Sequence, residues 1–213
     1  MHIADGVLSH EINIATFAIA AAVCAYSIKK CNKDFGDKQV PLLGVTSAFI
    51  FAAQLLNFPI GGGTSGHFLG AALAAILMGP YAACLIMTLV LIIQCLGFAD
   101  GGLTALGSNI FNMGIIGGFS SYFVFVLFKK LLPKNMNGFI VAAAITSWTS
   151  VMLSSAFCAL EVGASGTLPM SFVLPSMLGF HAIIGLGEAL ITTTVLSIVC
   201  ASRPDLVSTA EVI

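Results

Sequence analysis

Long apolar runs separated by short polar or glycine-rich stretches set the pattern of this chain. After a polar opening, MHIADGVLSHE, residues Ile12 to Ile28 are apolar and end at Lys29-Lys30. At about 1.5 Å per residue such a run covers most of a ~30 Å hydrocarbon core. A lysine-bearing exit loop, KKCNKDFGDK (29–38), leads to a second run from Val40 to about Leu56. The next stretch, NFPIGGGTSG, is so rich in Gly and Pro that it predicts irregular chain. A third run, HFLGAALAAILM, opens at His67 and is short for a full crossing. Gly79-Pro80 predicts a tight reversal into a fourth run, Tyr81 to Leu96. The loop FADGGLTALG (98–107) follows. Runs five, six and seven cover Asn109 to Phe128, Phe139 to Leu160 and Phe172 to Ala201, with the loop EVGASGTLPM between the last two.

Composition turns these runs into membrane spans. Of 213 residues, 58% are hydrophobic and 8% charged, and the mean hydropathy is +1.05. Eight Lys/Arg and nine Asp/Glu are too few to cover a soluble surface of this size. The expected fold is all-α: a polytopic membrane protein with about seven transmembrane helices forming one domain over 1–213. Its parts are an N-terminal segment (1–11), the helices (12–201) and a short tail (202–213). Charge position sets the orientation. If every run crosses, Lys29, Lys30, Lys33, Lys38, Lys129, Lys130, Lys134 and Arg203 all fall on one side, the cytoplasmic side by the positive-inside rule. The N-terminus and the loops at 58–66, 98–107 and 161–170 then share the outer face. With no basic n-region or apolar h-region at its start, the chain is expected to keep Met1.

The candidate chemistry sits at that start. The α-amino nitrogen of Met1, the amide nitrogen of His2 and a ring nitrogen of His2 can hold one metal ion in two fused chelate rings. Such a clamp spans three corners of a square, and His67 is the candidate for the fourth. An all-nitrogen plane suits nickel(II) and copper(II) better than cobalt(II). Asp5, His10, Thr64, Ser65, Asp100, Asn109 and Asn112 are candidates to orient these ligands or to gate access, as outer hydrogen-bond partners do at metal sites. His181 and Glu188 lie seven residues apart in the last run, roughly on one helical face. They read either as a proton relay or as a pair that fixes helix packing. The six cysteines include no C-x-x-C pair and read as small hydrophobes. GGGTSGH (61–67) matches nucleotide-binding glycine spacings only formally, since no strand precedes it in a βαβ unit and no P-loop lysine follows. In the first run, Ala18, Ala21, Ala22 and Ala25 have the small-xxx-small spacing of close helix contacts.

MHIADGVLS resembles the opening of the CbiM/NikM family, GGTSGHFLGA resembles its TS-x-H-L-x-G segment, and FADGGLTALGSNIFNMG and HAIIGLGEALIT also match. The resemblance implies a substrate-binding S component of an energy-coupling factor transporter in the inner (plasma) membrane of a prokaryote, taking up Ni2+ or Co2+ as substrate, cobalt uptake serving cobalamin biosynthesis. It implies metal held by Met1, His2 and His67, with the amino terminus inserted from outside. It implies no catalysis of its own, no cofactor and no nucleic acid. The implied partners are a membrane coupling protein, two ATPases and a small NikN, NikL or CbiN-type subunit, with the alanines of the first run resembling the surface offered to the coupling protein. The competing expectations are an ion-gradient transporter or channel using His181 and Glu188, and a membrane metalloenzyme.

Overall fold

A computed structural model describes residues 1–60 and 64–209 of the chain. Seven helices account for the apolar runs: α1 (His10–Asp34), α2 (Gln39–Gln54), α3 (Ala71–Met78), α4 (Pro80–Phe98), α5 (Leu106–Leu131), α6 (Met136–Ala164) and α7 (Met170–Ser202). Five of them, α1 and α4 to α7, are long and apolar enough to cross a membrane. Three helix starts have a local cause. Ser9 caps α1 by accepting a hydrogen bond from the Ile12 amide, and Asn135 caps α6 by accepting from Gly138. Pro80 opens α4 at a position where its missing N–H costs nothing.

The five long helices overrun their apolar stretches at both ends. The loop EVGASGTLPM loses its first four residues to α6, which places Glu161 in a buried last turn. The larger correction concerns NFPIGGGTSG. Asn57–Ile60 (β1) and Thr64–His67 (β2) pair as an antiparallel hairpin, with Asn57 opposite His67 and Ile60 opposite Thr64. His67 therefore ends a strand, and the third helix begins only at Ala71.

At eight residues, α3 is about 12 Å long, and every one of its residues is buried. A helix buried on all sides lies inside the bundle, so the hairpin end that precedes it lies within the thickness of the protein. Non-helical backbone at membrane depth is tolerated only where protein surrounds it. That condition holds, since Ser65 is half-buried and Gly66, His67, Phe68, Leu69 and Gly70 are buried. The backbone amides of Leu69 and Gly70, which lead into α3, donate to the two carboxylate oxygens of Glu188 on α7, each at 2.7 Å.

In α5 the stretch Ile110–Ile116 widens into a π-helix, a feature common near functional sites. The Gly117 carbonyl that follows accepts from the hydroxyls of Ser121 (2.6 Å) and Ser150 (3.2 Å). The far end of the bundle gathers the basic loops. Lys129, Lys130 and Lys134 share a cavity with Met78 and Gly79, and Lys38 lies in the adjoining one with Leu77. Large apolar side chains such as Ile14, Val45, Leu127 and Ile183 face outward, as a lipid-facing surface requires.

Candidate metal centre

The N-terminal segment, Met1 to Ser9, runs into the bundle. Met1 and Ile3 are fully buried, and His2 is 4% exposed. Met1, His2 and His67 meet in the interior.

Main-chain contacts fix the register of the segment. Asn109 on α5 grips Ile3 from both sides, its Oδ1 accepting from the Ile3 amide at 2.8 Å and its Nδ2 donating to the Ile3 carbonyl at 3.1 Å. That carbonyl also accepts from the Gly102 amide at 2.8 Å. Asp5 accepts from the amide and hydroxyl of Thr104 at 2.7 and 2.6 Å, and these bonds hold its carboxyl below the usual range. Further out, the Ser9 amide donates to Ser165 Oγ at 3.0 Å and Thr167 Oγ1 donates to the Val7 carbonyl. The strap is thus sewn to the 100–104 loop on one side and to the 165–167 loop on the other.

The α-amino group of Met1 donates to the carbonyl of Ser65 in β2 and lies 3.5 Å from that residue's hydroxyl. The ring of His2 lies 4.6 Å from the ring of His67, centroid to centroid. Hydrogen bonds settle which nitrogen of each ring carries the proton. His67 Nδ1 is 2.7 Å from the Phe68 carbonyl, which can only accept, so Nδ1 is protonated and Nε2 keeps its lone pair. The same logic reaches His2 through two amides. Gln54 Nε2 donates to the Leu69 carbonyl at 2.6 Å, which leaves Gln54 Oε1 to accept from Gln94 Nε2 at 2.9 Å. Gln94 Oε1 then accepts from His2 Nε2 at 2.9 Å, so the lone pair of His2 falls on Nδ1. His2 Nδ1 and His67 Nε2 are both buried without a hydrogen-bond partner. A buried nitrogen with an unused lone pair is costly unless something positive approaches it.

Burial also keeps these groups neutral. It pushes the α-amino group of Met1 down from 8.0 to about 5, against smaller opposing effects of Cys158 and Asp100. Burial, then the nearby amino group, lowers His2 to about 4, with Asp100 and Gln94 opposing. His67 is driven well below its ordinary value by burial, then by the amino group and His2. At neutral pH all three are free bases. The 3.6 Å separation of His2 Nδ1 from Asp100 Oδ1 is therefore no ion pair, and it is too long for a hydrogen bond. Among the described residues no three His, Cys, Asp or Glu side chains converge on a metal-sized site.

The other sequence candidates divide. Asp100 sits beside His2 and accepts from Asn57 Nδ2 at 2.9 Å. Ser65 meets the amino terminus, while Asn109 and Asp5 hold the strap. Asn112 does not orient a histidine: its Nδ2 donates to Glu161 at 2.7 Å. His10 is exposed at the start of α1, beside Phe17 and Leu103. The side chain of Thr64 lies outside the described residues. Glu188 is committed to the Leu69 and Gly70 amides, and His181 Nδ1 donates to the Met177 carbonyl at 2.7 Å. The two share the buried side of α7 without forming a hydrogen-bonded relay. Ala18, Ala21, Ala22 and Ala25 are exposed along α1. Gln54 and Gln94 escaped the sequence reading. Each was an amide inside an apolar run, and that was the available signal, since a buried amide demands partners.

Residues 2–206 match the family described as CbiM, cobalt uptake substrate-specific transmembrane region. The chain is 44% identical over 209 residues to a putative fused nickel transport protein NikMN of Archaeoglobus fulgidus, covering 97% of this chain and 68% of that protein. It is 40% identical over 211 residues to a putative metal transport protein of Haloquadratum walsbyi, covering 98% and 94%. A crystal structure of a truncated transition metal transporter superposes with a TM-score of 0.88 at 34% identity, covering 94% of this chain and 99% of that one.

Proposed function

We propose that this chain, which belongs to the CbiM family of cobalt uptake substrate-specific transmembrane regions, captures Ni2+ or Co2+ with high affinity as the substrate-binding subunit of an ATP-driven importer of the energy-coupling factor type. The Met1 amine, the His2 amide nitrogen, His2 Nδ1 and His67 Nε2 form the four corners of the site. One observation carries this reading: the two histidines, buried side by side, are each held in the tautomer that leaves an unpartnered lone pair. A square of four nitrogens favours nickel over cobalt. The basic end faces the cytoplasm, so metal enters from the opposite side, through the strap and the 98–107 loop. The exposed alanines of α1 meet the coupling protein. Two ATPases supply energy, and a small membrane subunit of the NikN type assists loading.

Proton release tests the ligand set. Because the amine and both imidazoles are already neutral at pH 7, the one proton displaced on binding comes from the His2 amide. Nickel affinity, followed by calorimetry, is expected to fall about tenfold per unit as the pH drops from roughly 8 to 6. It should fall more steeply below about 5, where the amine also takes up a proton. The sign follows from the lowered amine value, since an ordinary terminus at 8.0 would add its proton to the slope already at neutral pH. A flat affinity between roughly pH 8 and 6 would remove the amide from the site and, with it, the square plane.

The glutamine relay gives a second check. Gln94→Leu leaves the His2 ring free to turn its proton toward Nδ1, and nickel affinity is expected to drop ~10- to 100-fold, the usual cost of losing an outer hydrogen bond at a metal ligand. Wild-type affinity in a folded Gln94→Leu protein would show that the relay does not set the tautomer.

A further inference from the structure

A cavity lies at the basic end of the bundle, between Met78 and Lys129. It has a volume of about 520 Å³, within the range of small-ligand sites. Its wall is formed by α5 and is graded along that helix. Tyr122 and Val126 stand one turn apart, and Lys129 and Lys130 follow on the next turn of the same face. Lys134 completes the rim. Lys129 donates to the Thr209 carbonyl, while Lys130 and Lys134 are exposed. Among the described residues that line this cavity none is acidic. The adjoining cavity is different: there Asp34 and Asp205 accompany Lys38 and offset its charge.

Beside this graded face runs a second one. Phe123, Leu127 and Leu131 recur every four residues along α5 and are 64%, 53% and 69% exposed, the stripe of a helix that faces acyl chains. Cavity and stripe meet at the end of α5, so a ligand with an anionic head and an apolar tail would set the head among the lysines and the tail along the stripe. Lysine stems suit that boundary, since they lie along apolar surface while the ammonium reaches outward. Basic pockets of this kind between membrane helices take anionic lipid head groups.

We infer that the cavity lined by Lys129, Lys130 and Lys134 is a binding site for one anionic phospholipid, its phosphate among the lysines and an acyl chain against Phe123, Leu127 and Leu131. The site is independent of the metal centre. It fixes the depth and tilt of α5, the helix whose other end carries Asn109 and its grip on the N-terminal strap.

The test is native mass spectrometry on the full chain, offered phosphatidylglycerol and phosphatidylcholine in equal amounts. The wild type is expected to retain one phosphatidylglycerol in preference to phosphatidylcholine. The double variant Lys130→Gln/Lys134→Gln should lose about fivefold of that preference per lysine while binding nickel normally, which confirms that it is folded. Lys29→Gln/Lys30→Gln/Lys33→Gln, which removes as much or more charge from α1, should keep the preference. Three results would each overturn the inference. These are no preference in the wild type, an equal loss in the α1 variant, which points to a diffuse field, and binding of glycerol phosphate as tightly as phosphatidylglycerol, which points to a soluble anion.

Discussion

Adding two residues ahead of Met1 should abolish nickel binding while leaving every side chain of the protein in place. The reason is the position of the amino group. Met1 is fully buried, and its nitrogen already donates to the Ser65 carbonyl of β2, so an added peptide has no room and replaces an amine ligand with a poorly basic amide. One of the two chelate rings is lost outright, because it is closed by that amine. Four-ligand structural zinc sites bind with about 10–16 kcal/mol. One donor in four is then worth about 3 kcal/mol, or at least ~100-fold in affinity, before the steric conflict at Ser65 is counted. The same two residues added at the C-terminus control for handling and should change nothing. Calorimetry with Ni2+ gives the affinity, and a melting curve shows whether the protein is folded. Tight binding by the folded, extended protein would mean that the amine is not a ligand and that the metal lies elsewhere.

The sequence displayed the helices well, because each of the five long ones is a run whose apolar character is independent of its neighbours. Of the eight basic residues, Lys38, Lys129, Lys130 and Lys134 come together around the end of α3. The hairpin was not legible. Its Gly and Pro content predicts a break in helix, but β1 and β2 exist because the buried stretch around His67 must satisfy its backbone groups somewhere, a demand that appears only once α3 is known to be short and enclosed. Met1, His2 and His67 were nameable because a terminal histidine has chelate chemistry whatever the fold. The relay through Gln54 and Gln94 was not, since each glutamine acts through a residue 40 or more positions away. Asn112 was misplaced for a related reason: its partner Glu161 read as a loop residue, and only the extension of α6 buries it. His181 remains without a partner at Nε2, and no role follows from its position.

Gly102→Ala should cost nickel binding nearly as much as the blocked terminus, though Gly102 touches no ligand. A β-carbon at this position would stand 2.3 Å from the Asp5 amide nitrogen, 2.6 Å from Asp5 Oδ1 and 2.7 Å from the Ala4 carbonyl carbon. Two of these are main-chain atoms of the strap, which cannot rotate away as a side-chain tip could. The loop must therefore lift from the strap and break the bond from the Gly102 amide to the Ile3 carbonyl. Asn109 is then left holding Ile3 alone, and the register that sets Met1 and His2 against Ser65 and His67 is lost. A displacement of about 1 Å at a preorganised centre costs on the order of 100-fold, which is the loss of affinity expected. Gly6→Ala separates this effect from ordinary backbone strain. Gly6 has φ +80° but nothing within 4 Å of its β-carbon position, so alanine there costs about 1–2 kcal/mol of conformational strain without pushing the strap. Its nickel affinity should stay within a few-fold of wild type. If Gly102→Ala and Gly6→Ala bind nickel equally well, the close packing of loop on strap does not position the ligands, and the rigidity of the centre must come from His67 and the hairpin alone.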